Sequence, residues 1–147
     1  MIKLLSSVFF LMILPNFPLF AQDIEITNSY IRETIPGTQV SSAYMTITNA
    51  SADDIKLLSI TSNISKRIEL HQHLMRDSMM QMQQVDSIII KAKDKTVLQP
   101  HGYHVMIFEL KSPLIANQHV AMTLHFSNGQ TLDITLPVKG LKQLSHH

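Results

Sequence analysis

The sequence predicts an all-β protein, an antiparallel β-sandwich or barrel with Greek-key connections. Short runs in which apolar and polar residues alternate, separated by turn signals from Pro36 to Pro137, support this prediction. No segment shows the apolar period of an amphipathic helix of normal length. Hydrophobic residues make up 45% and charged residues 16% of the 147 residues, so one ordered domain can form a core.

Three runs show the alternation of a strand most clearly. Ala43 to Thr48, Val120 to Phe126 and Leu132 to Leu136 each place apolar side chains at every second position. Asn128-Gly129 lies between the last two runs, and this dipeptide favours a tight hairpin in which both turn residues have positive φ. We therefore expect the last two runs to pair as a hairpin.

The first 21 residues resemble a secretory signal. Lys3 precedes an unbroken apolar run from Val8 to Leu14, prolines follow, and Ala21 ends a plausible cleavage site. The apolar run is too short for a membrane span, which needs about 20 residues. We expect a signal peptide over 1–21, a β domain over 22–140 with no membrane anchor after cleavage, and a flexible tail over 141–147.

Composition narrows the chemistry of the chain. There is no cysteine, which removes disulfides, thiolate catalysis and thiolate metal ligands within this sequence. The formal net charge is +1 and no basic patch stands out, so nucleic acid is not an expected partner. Nine methionines and eight histidines leave thioether and imidazole groups as the available soft ligands.

These soft side chains cluster in one part of the sequence. Five methionines and four histidines lie between positions 71 and 106. His104 and Met106 are two residues apart in an apolar run, so on a strand their side chains share a face with Cα atoms roughly 6.6 Å apart. His71 with His73, and Met80 with Met82, have the same spacing on two earlier segments. If the three segments are neighbours in the sheet, their side chains converge.

Ligand softness indicates the metal. Thioether sulfur binds Cu(I) well and binds Zn²⁺, Mg²⁺ or Ca²⁺ poorly, whereas histidines alone would suit Zn²⁺ or Cu(II). A blue-copper electron-transfer site needs a cysteine, which this chain lacks. Methionine also fills cores, so the methionines alone do not establish a site. The mixed set favours Cu(I).

The spacing of four of these residues resembles a family signature. His71, ten residues, Met82, twenty-one residues, His104, one residue and Met106 reproduce the His-x10-Met-x21-His-x-Met signature of the PCuAC family of periplasmic copper chaperones. The segment from Pro100 to Met106 is similar to the family's Pro-Gly-Gly-Tyr-His-x-Met turn and strand.

The resemblance extends from about Ile24 to Val138, with departures around the signature. Ser78 and His101 stand where the family often has glycine, and Gln83-Gln84 replaces a common Arg-Pro. None of these departures removes one of the four signature residues. They concern the surface around the site.

The resemblance implies a cupredoxin-like β-barrel that holds Cu(I) through His71, Met82, His104 and Met106. It also implies a periplasmic carrier, not an enzyme, that delivers copper to the CuA centre of cytochrome c oxidase subunit II, often alongside Sco-type proteins. Transfer to cysteine ligands would run downhill, because neutral thioethers bind copper more weakly than thiolates.

Several alternatives remain open at the level of sequence. The same site would serve a periplasmic copper buffer or resistance protein with no dedicated acceptor. A copper oxidoreductase is disfavoured by the soft ligand set without cysteine, and an adhesion module would use the same residues only for packing. His73, Met75 and Met80 are candidate secondary ligands, and the terminal pair His146-His147 could hold a second copper.

Overall fold

The computed structural model describes residues 23–144, which form ten strands and one short 3₁₀ helix. The strands are β1 (Ile24–Arg32), β2 (Ser41–Asn49), β3 (Ile55–Thr61), β4 (Arg67–Arg76), β5 (Met79–Val85), β6 (Ile88–Ile90), β7 (Asp94–Leu98), β8 (Tyr103–Phe108), β9 (His119–Phe126) and β10 (Thr131–Lys139). Within the described part of the chain, no helix has the length and apolarity to cross a membrane. The expected signal segment and the terminal histidines lie outside the described residues.

The strands form one sheet in the order β5-β4-β8-β7-β2-β1-β10-β9-β3-β6, with an additional pairing of β8 and β2. The predicted all-β fold is confirmed, but the pairing is mixed and not wholly antiparallel. β1 lies parallel to β10, and β7 meets β8 in parallel at Leu98 and Tyr103. Five of the nine neighbouring pairs join strands that are not consecutive in the chain. The connections therefore cross over between strands, as the predicted Greek-key topology requires.

The core consists of apolar side chains from every strand except β5, whose residues are exposed apart from half-buried Val85. The largest fully buried ones are aliphatic or methionine: Ile31, Met45, Ile47, Leu57, Ile88, Ile90, Leu98, Ile107, Met122, Leu124, Leu136 and Val105. The alternating positions predicted for β2, β9 and β10 supply many of them. Met45 and Met122 are therefore packing residues, as the alternation predicted.

The hairpin between β9 and β10 forms, but its turn differs from the expected one. Four residues, 127–130, connect the strands, and of the Asn-Gly pair only Gly129 has positive φ, at 83°. The side chain of Asn128 accepts a hydrogen bond from the amide of Gln130 at 3.0 Å. This local bond stabilises the longer connection, so a two-residue turn with both φ values positive is not needed.

The end of the described chain is attached to the domain. Leu141–Leu144 form the 3₁₀ helix in the segment expected to be a tail. The amide of Leu141 donates to the carboxylate of Glu33 at 3.1 Å.

Asn49 generates a test of the fold because it is a buried polar residue with a complete set of partners. It is 1% exposed, and its side-chain amide donates to the carbonyls of Asp53 at 2.8 Å and Ile90 at 3.1 Å. Its oxygen accepts from the amide of Ser51 at 2.9 Å. We expect Asn49→Ala to lower the free energy of unfolding by about 2 to 3 kcal/mol, because two carbonyls lose their donor.

Urea unfolding of both the Asn49→Ala and the Asn49→Asp variants measures this effect. A carboxylate cannot donate to either carbonyl, so the aspartate should also destabilise. Asn63→Ala, on an exposed turn, is the matched control and should change stability by less than about 0.5 kcal/mol. An Asn49→Ala variant as stable as this control would contradict the assignment.

Candidate metal centre

Three adjacent strands bring the predicted ligands onto one face of the sheet. β4 lies between β5 and β8. His71 pairs with His104, Glu69 pairs with Met106, and His73 pairs with Met82. Directly opposite residues point to the same face. We call this side the site face, and it carries Glu69, His71, His73, Met82, His104 and Met106.

The opposite face of β4 and β8 packs into the core, whereas on β5 only partly buried Val85 contacts it. Leu70 on β4 is 4% exposed, and Val105 and Ile107 on β8 are fully buried. These residues alternate with the site-face residues along each strand. Core packing on one side therefore fixes which side chains face the other.

His104 presents an unprotonated nitrogen to a methionine sulfur. Its Nδ1 lies 3.0 Å from the carbonyl oxygen of Gly102, which can only accept, so Nδ1 carries the proton. Burial lowers the pKa of His104, and the nearby rings of His73 and His71 lower it further against the raising effect of that carbonyl. The ring is thus neutral near pH 7, and its Nε2 lone pair lies 3.2 Å from Sδ of Met82.

The ring of His71 is oriented by a carboxylate. Its Nε2 donates to Oε2 of Glu69 at 2.8 Å, and Nε of Arg67 donates to the other oxygen of Glu69 at 2.8 Å. The hydrogen bonds from His71 and then Arg67 lower the pKa of Glu69, so the carboxylate stays ionised. The remaining nitrogen of His71, Nδ1, is buried and has no hydrogen-bond partner among the described residues.

The two methionines lie on either side of the histidines. Met82 is 49% exposed on β5, which is an edge strand of the sheet. Met106 is partly buried, pairs with Ser42 of β2, and lines a cavity of about 260 Å³. The rings of His71 and His104 lie 5.9 Å apart between their centres. All four predicted ligands therefore share one face, and the assignment of each as a ligand remains a prediction.

The donor atoms have a separation suited to a shared metal ion. Metal–nitrogen and metal–sulfur bonds of about 2.0 and 2.3 Å, the lengths in tetrahedral zinc sites, place the two donors roughly 3.5 Å apart. The observed 3.2 Å between Nε2 of His104 and Sδ of Met82 is close to this value. Two lone pairs at that distance repel unless a proton or a metal cation lies between them. Among residues 23–144, no group of three or more His, Asp and Glu residues has a metal-binding arrangement.

Sequence reasoning did not assign the groups that orient the two histidines. Glu69 precedes His71 by two residues, and that spacing on a strand was a usable signal for a shared face. The contact of the Gly102 carbonyl with His104 could not be predicted from the sequence, because the direction of that carbonyl depends on the turn before β8. Of the three candidate secondary ligands, His73 lies opposite Met82, whereas Met75 and Met80 pair with each other farther along the hairpin and are 70% and 52% exposed.

Comparisons with known proteins agree with this architecture. The copper-bound PCuAC domain from PmoF2 is 18% identical and superimposes with a TM-score of 0.70, covering 81% of this chain and 94% of that domain. The solution structure of CuI-DR1885 from Deinococcus radiodurans is 32% identical with a TM-score of 0.63, covering 76% of this chain and 74% of that one. The expected likeness to PCuAC proteins and their cupredoxin-like fold is thus confirmed.

Sequence comparison identifies the family. "Putative lipoprotein Lxx21020" of Leifsonia xyli subsp. xyli is 28% identical over 120 residues, which span 81% of this chain and 71% of that protein. The model of the family described as "Putative lipoprotein LpqE-like" matches residues 24–138, from the first residue of β1 into β10. The protein therefore belongs to the LpqE-like family and has the fold of the PCuAC domains.

Proposed function

We propose that the protein is a copper(I) chaperone that holds one ion between His71, Met82, His104 and Met106. The observation that carries the proposal is the contact of 3.2 Å between Nε2 of His104 and Sδ of Met82. Two neutral donors with lone pairs, one of them a thioether, favour a soft monovalent cation. Two structural relatives that hold copper, the PCuAC domain from PmoF2 and CuI-DR1885, support the choice of metal.

The neighbouring residues support ligation by His71 as well. Its Nδ1 is the one nitrogen of that ring without a hydrogen-bond partner, and the ring itself is 8% exposed. A carboxylate that accepts from the other nitrogen of a ligating histidine fixes the ring and raises its basicity. Glu69 is positioned for this role, and an ion bound at Nδ1 would satisfy a buried atom.

The proposed role is carriage, with no catalytic step. We propose delivery to the CuA centre of cytochrome c oxidase subunit II, alongside Sco-type proteins. Cysteine thiolates bind Cu(I) more tightly than thioethers, so the transfer is favourable. Half-exposed Met82 on an edge strand gives an acceptor access to one ligand. A periplasmic buffer without a dedicated acceptor is the alternative.

The proposed location is the periplasm. Membership of a lipoprotein-like family supports a place outside the cytoplasm. The segment over residues 1–21 has the pattern of a secretory signal. The 147 residues contain no cysteine to which a lipid could be attached.

The first prediction from this proposal concerns the ligands. In an anaerobic titration against a chromogenic Cu(I) chelator, the double variant His104→Ala, Met106→Ala should lose the tightest equivalent of copper. The matched control is His119→Ala, Met79→Ala, because His119 lies on the distant strand β9 and Met79 points away from the site face. Unchanged affinity in a folded double variant would refute the site.

A second prediction concerns pH. Copper and a proton compete for Nε2 of His104, and an unperturbed histidine has a pKa near 6.5. Because burial lowers the pKa of His104, we expect Cu(I) affinity to be nearly constant down to about pH 6.5 and to fall at lower pH. The same titration at several pH values measures this, and an affinity independent of pH between 7 and 4 would mean that histidine does not bind the ion.

A third prediction separates the chaperone from the buffer. The copper-loaded protein should metallate an apo CuA domain faster than the same amount of copper released from a small chelator of equal affinity. Transfer should require the cysteines of the acceptor. Equal rates from protein and chelator would favour the buffer.

A further inference from the structure

We infer that His73 and His101 form a second, outer copper site, through which the ion reaches the inner one. This inference rests on the proposed function and adds a loading step to it. His73 lies on β4 on the site face, and His101 lies in the turn that precedes β8. Neither residue belongs to the four ligands of the inner site.

Four imidazole rings form a continuous row. The ring centres of His101 and His73 lie 5.7 Å apart, those of His73 and His104 lie 5.0 Å apart, and those of His104 and His71 lie 5.9 Å apart. The row begins at exposed His101 and ends at His71, which is 8% exposed. It therefore connects solvent to the proposed inner site.

The contacts of His104 divide this row into two pairs. Two imidazoles that bind one ion have ring centres roughly 5 to 6 Å apart, because each centre lies about 3 Å from the metal. The outer pair, His73 and His101, meets this distance with an angle of 39° between the rings. His73 and His104 are also close, at 5.0 Å, but both nitrogens of His104 are engaged elsewhere, by the carbonyl of Gly102 and the sulfur of Met82, so His104 has no donor left for an ion at His73.

His73 has an unused donor atom. Its Nδ1 is buried and has no hydrogen-bond partner among the described residues. Buried polar atoms in native structures are nearly always satisfied by protein, water or an ion. Of the buried side-chain nitrogen and oxygen atoms in residues 23–142, only Nδ1 of His71 shares this condition, and that atom belongs to the proposed inner site.

His101 occupies a backbone conformation that favours glycine. Its φ is 66°, in the left-handed region, which costs an ordinary residue about 1 kcal/mol. A strained residue is a reason to look for function at its side chain. Here the strained backbone places the ring centre of His101 5.7 Å from that of His73.

The outer site fits the same cargo as the inner one. Two imidazoles alone would also suit Zn²⁺ or Cu(II), but the exposed thioethers of Met75 and Met80 lie next to His73 along the same face and supply the soft donors that favour Cu(I). An ion bound to His73 lies next to the inner site, because the ring of His73 stacks on that of His104. Copper would move inward by exchange of ligands, without a change of oxidation state.

Anaerobic Cu(I) titration of the full chain tests the inference. Compared with the wild type, His101→Gly should lose one weaker equivalent and keep the tightest one. Its melting temperature should be unchanged or higher, because glycine relieves the positive φ. His73→Gln should lose the same equivalent, whereas His119→Gln on β9 is the matched control and should keep every equivalent.

Loading kinetics provide an independent readout. With copper below one equivalent, His101→Gly should fill the inner site several-fold more slowly than the wild type, at unchanged inner affinity. Wild-type stoichiometry in both His101→Gly and His73→Gln, or an unchanged loading rate, would overturn the outer site. Neither result would contradict the proposed inner site. The proposed function fails separately, if the double variant His104→Ala, Met106→Ala retains the tightest equivalent.

Discussion

The register in which β4 pairs with its two neighbours is the constraint on which the site depends. It places His71 opposite His104 and His73 opposite Met82. Side chains on a strand alternate between faces, so a slip of one residue in either pairing would turn one strand's donors to the other face. The core prevents that slip between β4 and β8, because Leu70 and Val105 are buried on the reverse side of these strands. On β5 only Val85, which pairs with Leu70, packs against the core.

Two hydrogen bonds then determine which atoms of the histidines are free. The carbonyl of Gly102 accepts a hydrogen bond from Nδ1 of His104, and the carboxylate of Glu69 accepts one from Nε2 of His71. The two rings are therefore held in opposite tautomers. Each offers a different nitrogen to a cation, and neither needs to rotate or lose a proton before binding. One backbone carbonyl and one ionised side chain therefore hold the two rings of the proposed site in place.

Much of the architecture was predictable because β-structure has a short period. The runs at β2, β9 and β10 and the shared face of His104 and Met106 followed from alternation alone. The neighbours of β4 did not, because strand order depends on contacts between distant segments. The turn at Asn128-Gly129 was placed correctly but took a longer form, since a local side-chain bond stabilised it.

Because β5 lies at the sheet edge, the rate at which copper leaves the proposed site need not depend on the stability of the whole domain. Met82 is the one predicted ligand on this strand, and the hairpin turn before it has Asp77 and Ser78 at φ values of 51° and 63°. Edge hairpins open locally at lower free energy than the whole domain. Local opening of β5 would move the sulfur of Met82 away from the histidines while β4 and β8 stay packed. Substitutions at Asp77 or Ser78 would therefore change the rate of copper release without lowering the stability of the core.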